Sequence, residues 1–406
     1  MSKVLGIIAE YNPFHMGHAL HLEEARRISG ADTVVCVMSG NFAQRGEPAL
    51  VEKYIRAEAA VRSGIDLVIE LPFVYATTGA ENFAKGAVKL LSGIGIDAIS
   101  FGSESKDKGK LEQLAKIFAD ETPELSKAIL IDLKLGLSYP VARQNAVRSV
   151  YGEEIAAILD NPNDILAIEY LKQLYLLGEV GKNIEVFPVK RIGPAPDGIE
   201  GDIAGATAIR DILLQDTKKS RKEAFSYMPK TSVAVYKKVK KFTFMDDMFD
   251  AFQYSIFNMD QNEVSSISGV REGLENKLIA ASEKEKTTGE LILEVKSKRY
   301  TQTRIQRIVL HTAIGLTKAD VESAMNERIC SKILGFNDKG SALLKKIKKS
   351  AGDESPVLIS HVKRHKNELK KSNIMIKYEI KAEKLYELIS NGNLVKYKYN
   401  EKPFNL

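Results

Sequence analysis

The sequence has few of the features that mark secreted, disulfide-stabilised or membrane-spanning proteins. Its 406 residues include only two cysteines, Cys36 and Cys330, which lie far apart. This spacing predicts no disulfide framework, so a reducing cytoplasm is the expected compartment. No apolar run approaches the ~18 to 20 residues that a membrane helix requires, and we expect no membrane partner. Because the first residues lead directly into a predicted strand, we also expect no signal peptide.

Charge is distributed unevenly along a chain of otherwise ordinary globular composition. With 406 residues, the chain is long enough for two domains. Residues 1–218 contain 23 Lys and Arg against 30 Asp and Glu, whereas residues 219–406 contain 36 against 23. The strongly basic second part predicts contact with a polyanion. The alternative is that its lysine-rich helices only keep that part soluble.

The first part of the chain alternates strand and helix patterns. Apolar runs predict strands at residues 4–9, 33–38, 67–71, 98–101 and 184–191, and helical patterns lie at about 17–29, 49–63 and 81–93. This alternation predicts a parallel sheet that binds ligands beyond the carboxyl ends of its strands. After residue 219, helical patterns dominate. We therefore predict an α/β, Rossmann-like domain over residues 1–218 and a mostly α-helical, basic domain over residues 219–406.

The strongest motif follows the first predicted strand. Asn12-Pro13 opens a sharp loop, and His15 and His18 come next, one helical turn apart. Free N–H groups and the helix dipole favour anions at a helix N-terminus. Two imidazoles added there would hold the phosphates of a nucleotide and stabilise charge during nucleotidyl transfer. One alternative is a metal site, but the His-x-x-x-His spacing and a third ligand are missing. The other is a pair of helix-capping histidines.

Longer strings around this motif resemble a known family. HMGH resembles the HxGH signature of the nucleotidyltransferase superfamily that includes class I aminoacyl-tRNA synthetases. AEYNPFHMGH, SGNFAQRGEPA and DLVIELPFVYA resemble the tRNA(Met) cytidine acetate ligase family, and the similarity runs over nearly the whole chain. Members activate acetate with ATP as acetyl-adenylate and transfer the acetyl group to N4 of the wobble cytidine of elongator tRNA(Met). The resemblance implies the same substrates here, with Mg²⁺ carried by the nucleotide and no resident metal.

The motif and the resemblance together give a set of site residues. Catalytic roles fall to His15, His18 and Arg210. ATP contacts are implied for Ile7, Ile8, Ala9, Glu10, Tyr11, Asn12, Pro13, Phe14, His15, Met16, Gly17, His18, Ala19, Leu20, Gly102, Asn163, Arg191 and Thr207. Without the resemblance, Gly102 would be an ordinary turn glycine and Asn163 a helix cap, whereas the strand-end position of Arg191 itself favours a phosphate contact.

A second superfamily signature resembles the segment ATAIR. Thr207 and Arg210 match it, whereas Gly205 and Ala208 stand where serines are common. Three residues apart, Thr207 and Arg210 are expected on one face of a helix start. Arg210 is the candidate for stabilising the departing pyrophosphate.

A basic segment in the second half is the strongest candidate for RNA binding. Arg304, Arg307 and His311 fall on one predicted helical face, after Lys298, Arg299 and Tyr300. Cations beside an aromatic ring can bind phosphates and stack on an unpaired base. We therefore predict tRNA contacts at Lys298, Arg299, Tyr300, Arg304 and Arg307, with Lys345, Lys346, Lys348 and Lys349 as a weaker second candidate. The alternative is a solvated helix whose apolar side packs inward.

Two other functions are compatible with the motif. Small-molecule adenylyltransferases that make dinucleotide cofactors also carry HxGH, although they are typically compact single domains. A non-catalytic RNA-binding protein that retains a nucleotide fold is the other. Turnover of ATP, and the molecule that receives label from acetate, would separate the three.

Overall fold

Ten strands are found in the described part of the chain, which in this computed structural model comprises residues 2–191, 193–194, 197–271, 273–360, 373–390 and 403–406. The strands are β1 (Val4–Ala9), β2 (Thr33–Ser39), β3 (Leu67–Leu71), β4 (Ala98–Ser103), β5 (Glu185–Lys190), β6 (Ile199–Glu200), β7 (Ile203–Ala204), β8 (Cys330–Phe336), β9 (Val357–Ile359) and β10 (Phe404–Asn405). Most of them join one sheet, which organises the first half of the molecule.

Helices account for most of the remaining described chain. In the first half they are α1 (Met16–Ser29), α2 (Lys53–Arg62), α3 (Phe73–Ala76), α4 (Ala80–Gly93), α5 (Lys108–Ala119), α6 (Pro123–Lys134), α7 (Tyr139–Tyr151), α8 (Glu153–Ala156), α9 (Pro162–Leu176), α10 (Glu179–Lys182) and α11 (Ala206–Leu214). They continue with α12 (Lys218–Ser226), α13 (Lys230–Tyr236), α14 (Phe249–Phe257), α15 (Gln261–Ser266), α16 (Leu274–Lys284), α17 (Thr288–Val295), α18 (Gln302–Ile314), α19 (Lys318–Asn326), α20 (Asp338–Ser350) and α21 (Asn373–Ile389). Short 3₁₀ turns lie at Ala157–Asp160 and Met245–Met248.

The main sheet has a parallel centre in the order β3-β2-β1-β4-β5. Alternate residues of its strands enter separate apolar cores on the two faces: Val35 and Val37 pack on one side, Val34 and Cys36 on the other. Buried on both faces, these strands read as the continuous apolar runs seen in the sequence. The predicted α/β class is confirmed, and strands β1 and β3 have the predicted bounds.

The second half also supplies strands to this sheet. Strand β8 pairs antiparallel with β3, and β9 and β10 pair with β8. The sequence interpretation missed β8, because Ser331 and Lys332 interrupt its apolar pattern although both side chains are buried. The division into domains at residue 218 stays a prediction, but the sheet crosses it.

Local signals explain several helix boundaries. Pro123 occupies the first position of α6, and the preceding Thr122 accepts a hydrogen bond from the Leu125 N–H. The predicted cap of α9 was wrong: Asn161, not Asn163, is the N-cap, and the helix begins at Pro162. Between β5 and α11 the chain forms the small antiparallel hairpin β6-β7.

Two expectations about the chain as a whole can be compared with the structure. Cys36 lies in β2 and Cys330 at the start of β8, and both side chains are buried. Within the described residues, no helix combines the length and the apolar character needed to cross a membrane.

Candidate nucleotide-binding site

A cleft of about 540 Å³ opens at the carboxyl ends of β1, β4 and β5. Of the predicted ATP contacts, it is lined by Ile7, Ile8, Ala9, Glu10, Tyr11, Asn12, His15, Gly17, His18, Gly102, Asn163, Arg191 and Thr207, together with Arg210. Pro13, Phe14, Met16, Ala19 and Leu20 do not line it. The fold therefore brings residues from four distant parts of the sequence to one corner, as expected for a parallel sheet.

Two of the predicted residues outside the cleft wall, Phe14 and Met16, support the motif. Phe14 is fully buried, and its ring packs against those of Tyr11 and His18. Its carbonyl accepts a hydrogen bond from the Ser232 hydroxyl, and the Met16 N–H donates to the Tyr227 carbonyl. The second half of the chain thus holds the loop that carries the histidines.

The two motif histidines form a stacked pair. Their ring centroids lie 3.8 Å apart with an angle of 26° between the planes. The His15 backbone N–H donates to Nδ1 of His18 at 3.3 Å, so a neutral His18 ring carries its proton on Nε2. The Nδ1 atom of His15 is buried and has no hydrogen-bond partner in the described part of the protein. Buried polar atoms are normally paired, so this atom is a candidate to bind a ligand.

Burial keeps these imidazoles neutral. It lowers the pKa of His15 to about 3, with further lowering by Arg191 and Arg210. Burial, followed by the neighbouring His15 and His21, also lowers the pKa of His18 well below its usual value. At neutral pH each ring therefore presents an N–H donor rather than a full charge. The positive charge of the cleft comes instead from cations of its lining, which are Arg45, Lys190, Arg191 and Arg210.

Arg191 and Arg210 reach the cleft from different elements, since Arg191 follows β5 and Arg210 lies on α11. Nη1 of Arg210 donates to the Asn12 carbonyl at 3.2 Å, and Nη2 donates to Thr207 Oγ1 at 3.1 Å. Glu47 pairs with the same Nη2 at 3.1 Å. Thr207 and Arg210 thus share a helix face, as their spacing predicts. Both guanidinium groups can stabilise charge on phosphate oxygens.

Another part of the cleft wall lies where α9 begins. Glu104 accepts hydrogen bonds from the Asn163 side chain at 2.7 Å and from the Asp164 N–H at 3.1 Å. The nearest Glu104 oxygen lies 3.9 Å from Nη1 of Arg191, whose Nη2 donates to the Pro194 carbonyl. Glu104 therefore fixes both Asn163 and Arg191 at the edge of the cleft. Across the described residues, no group of three or more His, Cys, Asp or Glu is arranged to hold a metal ion.

Gly102 provides open space at the end of β4, and this allows a direct test. A Cβ at this position would meet no protein atom within 4 Å. Gly102→Val should therefore fold normally but fill the space beside the nucleotide, and we expect the KM for ATP to rise at least tenfold. Initial rates against ATP concentration and a thermal unfolding curve would measure both effects. Gly352→Val, also in open space but away from the cleft, is the control; an unchanged KM in Gly102→Val would contradict the placement.

Known proteins resemble this chain over most of its length. The family described as HIGH Nucleotidyl Transferase matches residues 2–402. A tRNA(Met) cytidine acetate ligase from Acetivibrio thermocellus is 41% identical over 361 residues, which cover 86% of each chain. A protein of the same name from a Thermoanaerobacter species is 39% identical over 394 residues, which cover 95% of each.

The chain belongs to the tRNA(Met) cytidine acetate ligase family. Solved structures of Thermotoga maritima TmcAL share its fold. The apo form has a TM-score of 0.90 at 31% identity, and the match covers 100% of this chain and 99% of the Thermotoga chain. The form bound with alpha-thio ATP has a TM-score of 0.89 at 32% identity and the same coverage. The predicted family and fold are thereby confirmed.

In this member of the ligase family, a loop missed by the sequence analysis completes the cleft. Gln44, Arg45 and Glu47 line it, and Arg45 is exposed at its rim. The Gln44 N–H donates to the Glu10 carboxylate at 2.6 Å, and the Gln44 carbonyl accepts from Arg307 at 3.4 Å. These residues lie in the quoted string SGNFAQRGEPA, and its position just after a predicted strand was the available signal.

His21 and Arg56 were also missed as site residues. His21 lies on the cleft wall with Nε2 3.2 Å from the Ser100 hydroxyl. Arg56 is completely buried, and its guanidinium donates to the carbonyls of Glu10, Ser39 and Gly40. Arg56 thereby ties together the carboxyl ends of β1 and β2. The sequence gives no simple signal for Arg56, because α2 also contains the charged residues Lys53, Glu58 and Arg62.

The predicted RNA-binding segment is only partly exposed. Lys298 and Arg299 are exposed, whereas Tyr300 is buried, with its hydroxyl donating to the Arg271 carbonyl. Burial of the Tyr300 ring leaves it unsuited to stack on a base. His311 is not a surface cation either, because it is buried with Nε2 3.0 Å from the Thr77 carbonyl. RNA contact by the other four residues stays a prediction.

Burial of histidines predicts acid sensitivity. Burial lowers the pKa of His21 and that of His311 to about 4, and it also lowers the pKa values of His15 and His18. Below pH 6.5 these histidines bind protons in the unfolded chain but stay neutral in the native state. Stability should therefore fall as the pH drops from 7 to 5. The loss is up to about 1.4 kcal/mol per pH unit for each histidine. Urea midpoints across this range would measure it; stability that is flat or rises toward pH 5 would contradict it.

Proposed function

We propose that this protein is an ATP-dependent ligase that makes acetyl-adenylate from acetate and transfers the acetyl group to N4 of the wobble cytidine of elongator tRNA(Met). The stacked, neutral histidine pair in one cleft with Arg191 and Arg210 is the observation that carries the proposal. It supplies N–H donors and positive charge at the strand ends where a triphosphate would bind. The names of the relatives and the ATP analogue bound by the Thermotoga protein supply the substrates.

The first step joins acetate to the nucleotide. An acetate oxygen attacks the α-phosphorus, an O–P bond forms, and the bond to the bridging oxygen breaks as pyrophosphate leaves. Nε2–H of His18 donates to a phosphate oxygen, while Arg210 offsets the charge that develops on pyrophosphate. Mg²⁺ enters with the nucleotide as part of the substrate. Positioning and charge stabilisation suffice for such a transfer.

The second step moves the acetyl group to RNA. The N4 amine of cytidine attacks the acetyl carbonyl, the C–O bond to AMP breaks, and one N4 proton is lost. In this proposal residues 1–218 bind ATP, and the basic residues 219–406, including Lys298, Arg299, Arg304 and Arg307, bind tRNA. The compartment is the cytoplasm, where tRNA and ATP are both present.

Labelled acetate tests the proposal directly. The purified full-length chain is incubated with ATP, Mg²⁺ and radiolabelled acetate, with and without bulk tRNA. We expect acetate-dependent exchange of pyrophosphate into ATP without tRNA, and label in tRNA as N4-acetylcytidine when it is present. Exchange without label in RNA would contradict the acceptor, and no ATP turnover would contradict the enzyme. A dinucleotide product formed from a mononucleotide substrate would favour the small-molecule adenylyltransferase instead.

A further inference from the structure

A second groove lies beside the nucleotide cleft. It has a volume of about 410 Å³ and runs between the α6-α7 hairpin and the segment that leads into α18. Successive residues at the start of α18 line the two cavities: Thr303 lines the cleft and Arg304 lines the groove. A molecule in the groove would therefore lie next to the proposed site of acetyl transfer.

The charged residues of this groove are all cationic. Lys134 comes from the hairpin, and Arg271, Arg299 and Arg304 come from the opposite wall. Among the described residues, no carboxylate lines it. Arg304 is held in place because it donates to the Gly269 carbonyl at 2.8 Å and lies over the Tyr300 ring at 4.9 Å. Four cations on the two walls of one groove are complementary to a polyanion.

The floor of the groove is apolar and accessible. Leu130, Leu133, Leu137 and Tyr139 line it, and Leu130 and Tyr139 are 56% and 50% exposed. Exposed apolar groups of this size normally face a partner. A duplex offers mainly phosphates and sugars to a protein, whereas unpaired bases offer apolar faces as well. Cations around an accessible tyrosine and leucines therefore fit a single strand better than a double helix.

We propose that this groove binds the unpaired nucleotides next to the target cytidine. The inference rests on the proposed function, since it assumes an RNA acceptor. Tyr139 stacks on a base, and Lys134, Arg271 and Arg299 contact the flanking phosphates. The strand passes over the start of α18, so the cytidine reaches the adenylate in the adjoining cleft. Arg299 and Arg304, predicted from the sequence as RNA contacts, thus line the same groove as Lys134 and Tyr139 of the α6-α7 hairpin.

A pair of matched double variants tests the proposal in the full-length chain. Tyr139→Ala with Arg271→Ala removes one ring and one cation from the groove. Tyr254→Ala with Lys277→Ala removes an exposed ring and an exposed cation that do not line it. We expect the KM for tRNA acetylation to rise at least about tenfold in the groove variant, since base stacking alone contributes that much. Acetate-dependent pyrophosphate exchange should match that of the control variant.

Direct RNA binding separates this proposal from the proposed function. The probes are a stem-loop RNA with a cytidine-containing loop and a fully paired duplex of equal length, each measured by fluorescence anisotropy. The wild type should prefer the stem-loop, and the groove variant should lose that preference even if acetylation is not observed. Equal binding of both RNAs, or an unchanged preference in the variant, would overturn the groove. A change in sedimentation of the variant without a change in RNA affinity would instead assign the apolar floor to self-association.

Discussion

Replacing His18 with asparagine is expected to lower acetyl-adenylate formation about 100- to 1,000-fold, the usual loss for one preorganised donor in the transition state. The side-chain oxygen of asparagine can still accept the His15 N–H that Nδ1 of His18 accepts at 3.3 Å. The variant therefore keeps the start of α1 while the Nε2 donor is lost. Acetate-dependent pyrophosphate exchange at saturating ATP measures the effect on kcat.

A second histidine variant provides the control for stability. His311 is buried, like His18, but its hydrogen bonds join Thr77 and Ser268 away from the cleft wall. His311→Ala should lower the free energy of unfolding and leave the rate per folded molecule close to that of the wild type. If His18→Asn retains wild-type exchange, the histidines are structural caps and the proposed chemistry fails.

Replacing Lys53 with methionine should have the largest effect on stability. Nζ of Lys53 is buried and lies 2.7 Å from Glu70 and 2.5 Å from Glu383. Although burial alone would lower the pKa of Lys53, Glu383 and Glu70 raise it well above its usual value. Removing the cation leaves buried carboxylates without their partner, which costs about 3 to 5 kcal/mol. Urea unfolding measures the loss.

The surroundings of Lys53 indicate where the structure should loosen. Glu383 lies on α21, whereas Lys53 and Glu70 belong to α2 and β3, so the ion pairs dock α21 against the sheet. Hydrogen exchange should rise first in residues 373–389. Lys384→Met, an exposed lysine on the same helix, is the matched control. If Lys53→Met does not fold, adding Glu383→Leu should restore part of the stability; equal stability of Lys53→Met and Lys384→Met would contradict the role.

The sequence predicted the centre of the molecule well for a physical reason. Strands β1 and β3 are buried on both faces, so each appears as a mainly apolar run, which in β3 is interrupted only by the buried Glu70. The HMGH motif follows β1 directly, and the carboxyl ends of parallel strands meet at one edge. Placing His15, Gly102 and Arg191 in one cleft required only that topology.

Features that depend on distant pairing could not be predicted in the same way. Strand β8 contains Lys332, whose buried amine lies 3.6 Å from Glu383, more than fifty residues further along the chain. The burial of Tyr300 and His311 depends on their contacts with Arg271 and Thr77, far away in sequence. The sequence of a basic segment does not show whether its aromatic ring faces solvent or the core, because only tertiary contacts determine the orientation of the ring.

Residues 44–47 connect the two substrates of the proposed reaction. Gly46 has a φ of +86°, and a Cβ there would lie 2.6 Å from the Arg307 backbone nitrogen. The same short loop touches Glu10 on one side and α18 on the other. In the proposed reaction, tRNA binding that displaces α18 would therefore also displace the loop that contacts Glu10 in the nucleotide cleft. By the same coupling, nucleotide binding would affect tRNA binding. Evolutionary change in this loop could therefore not alter the binding of one substrate without also altering the binding of the other.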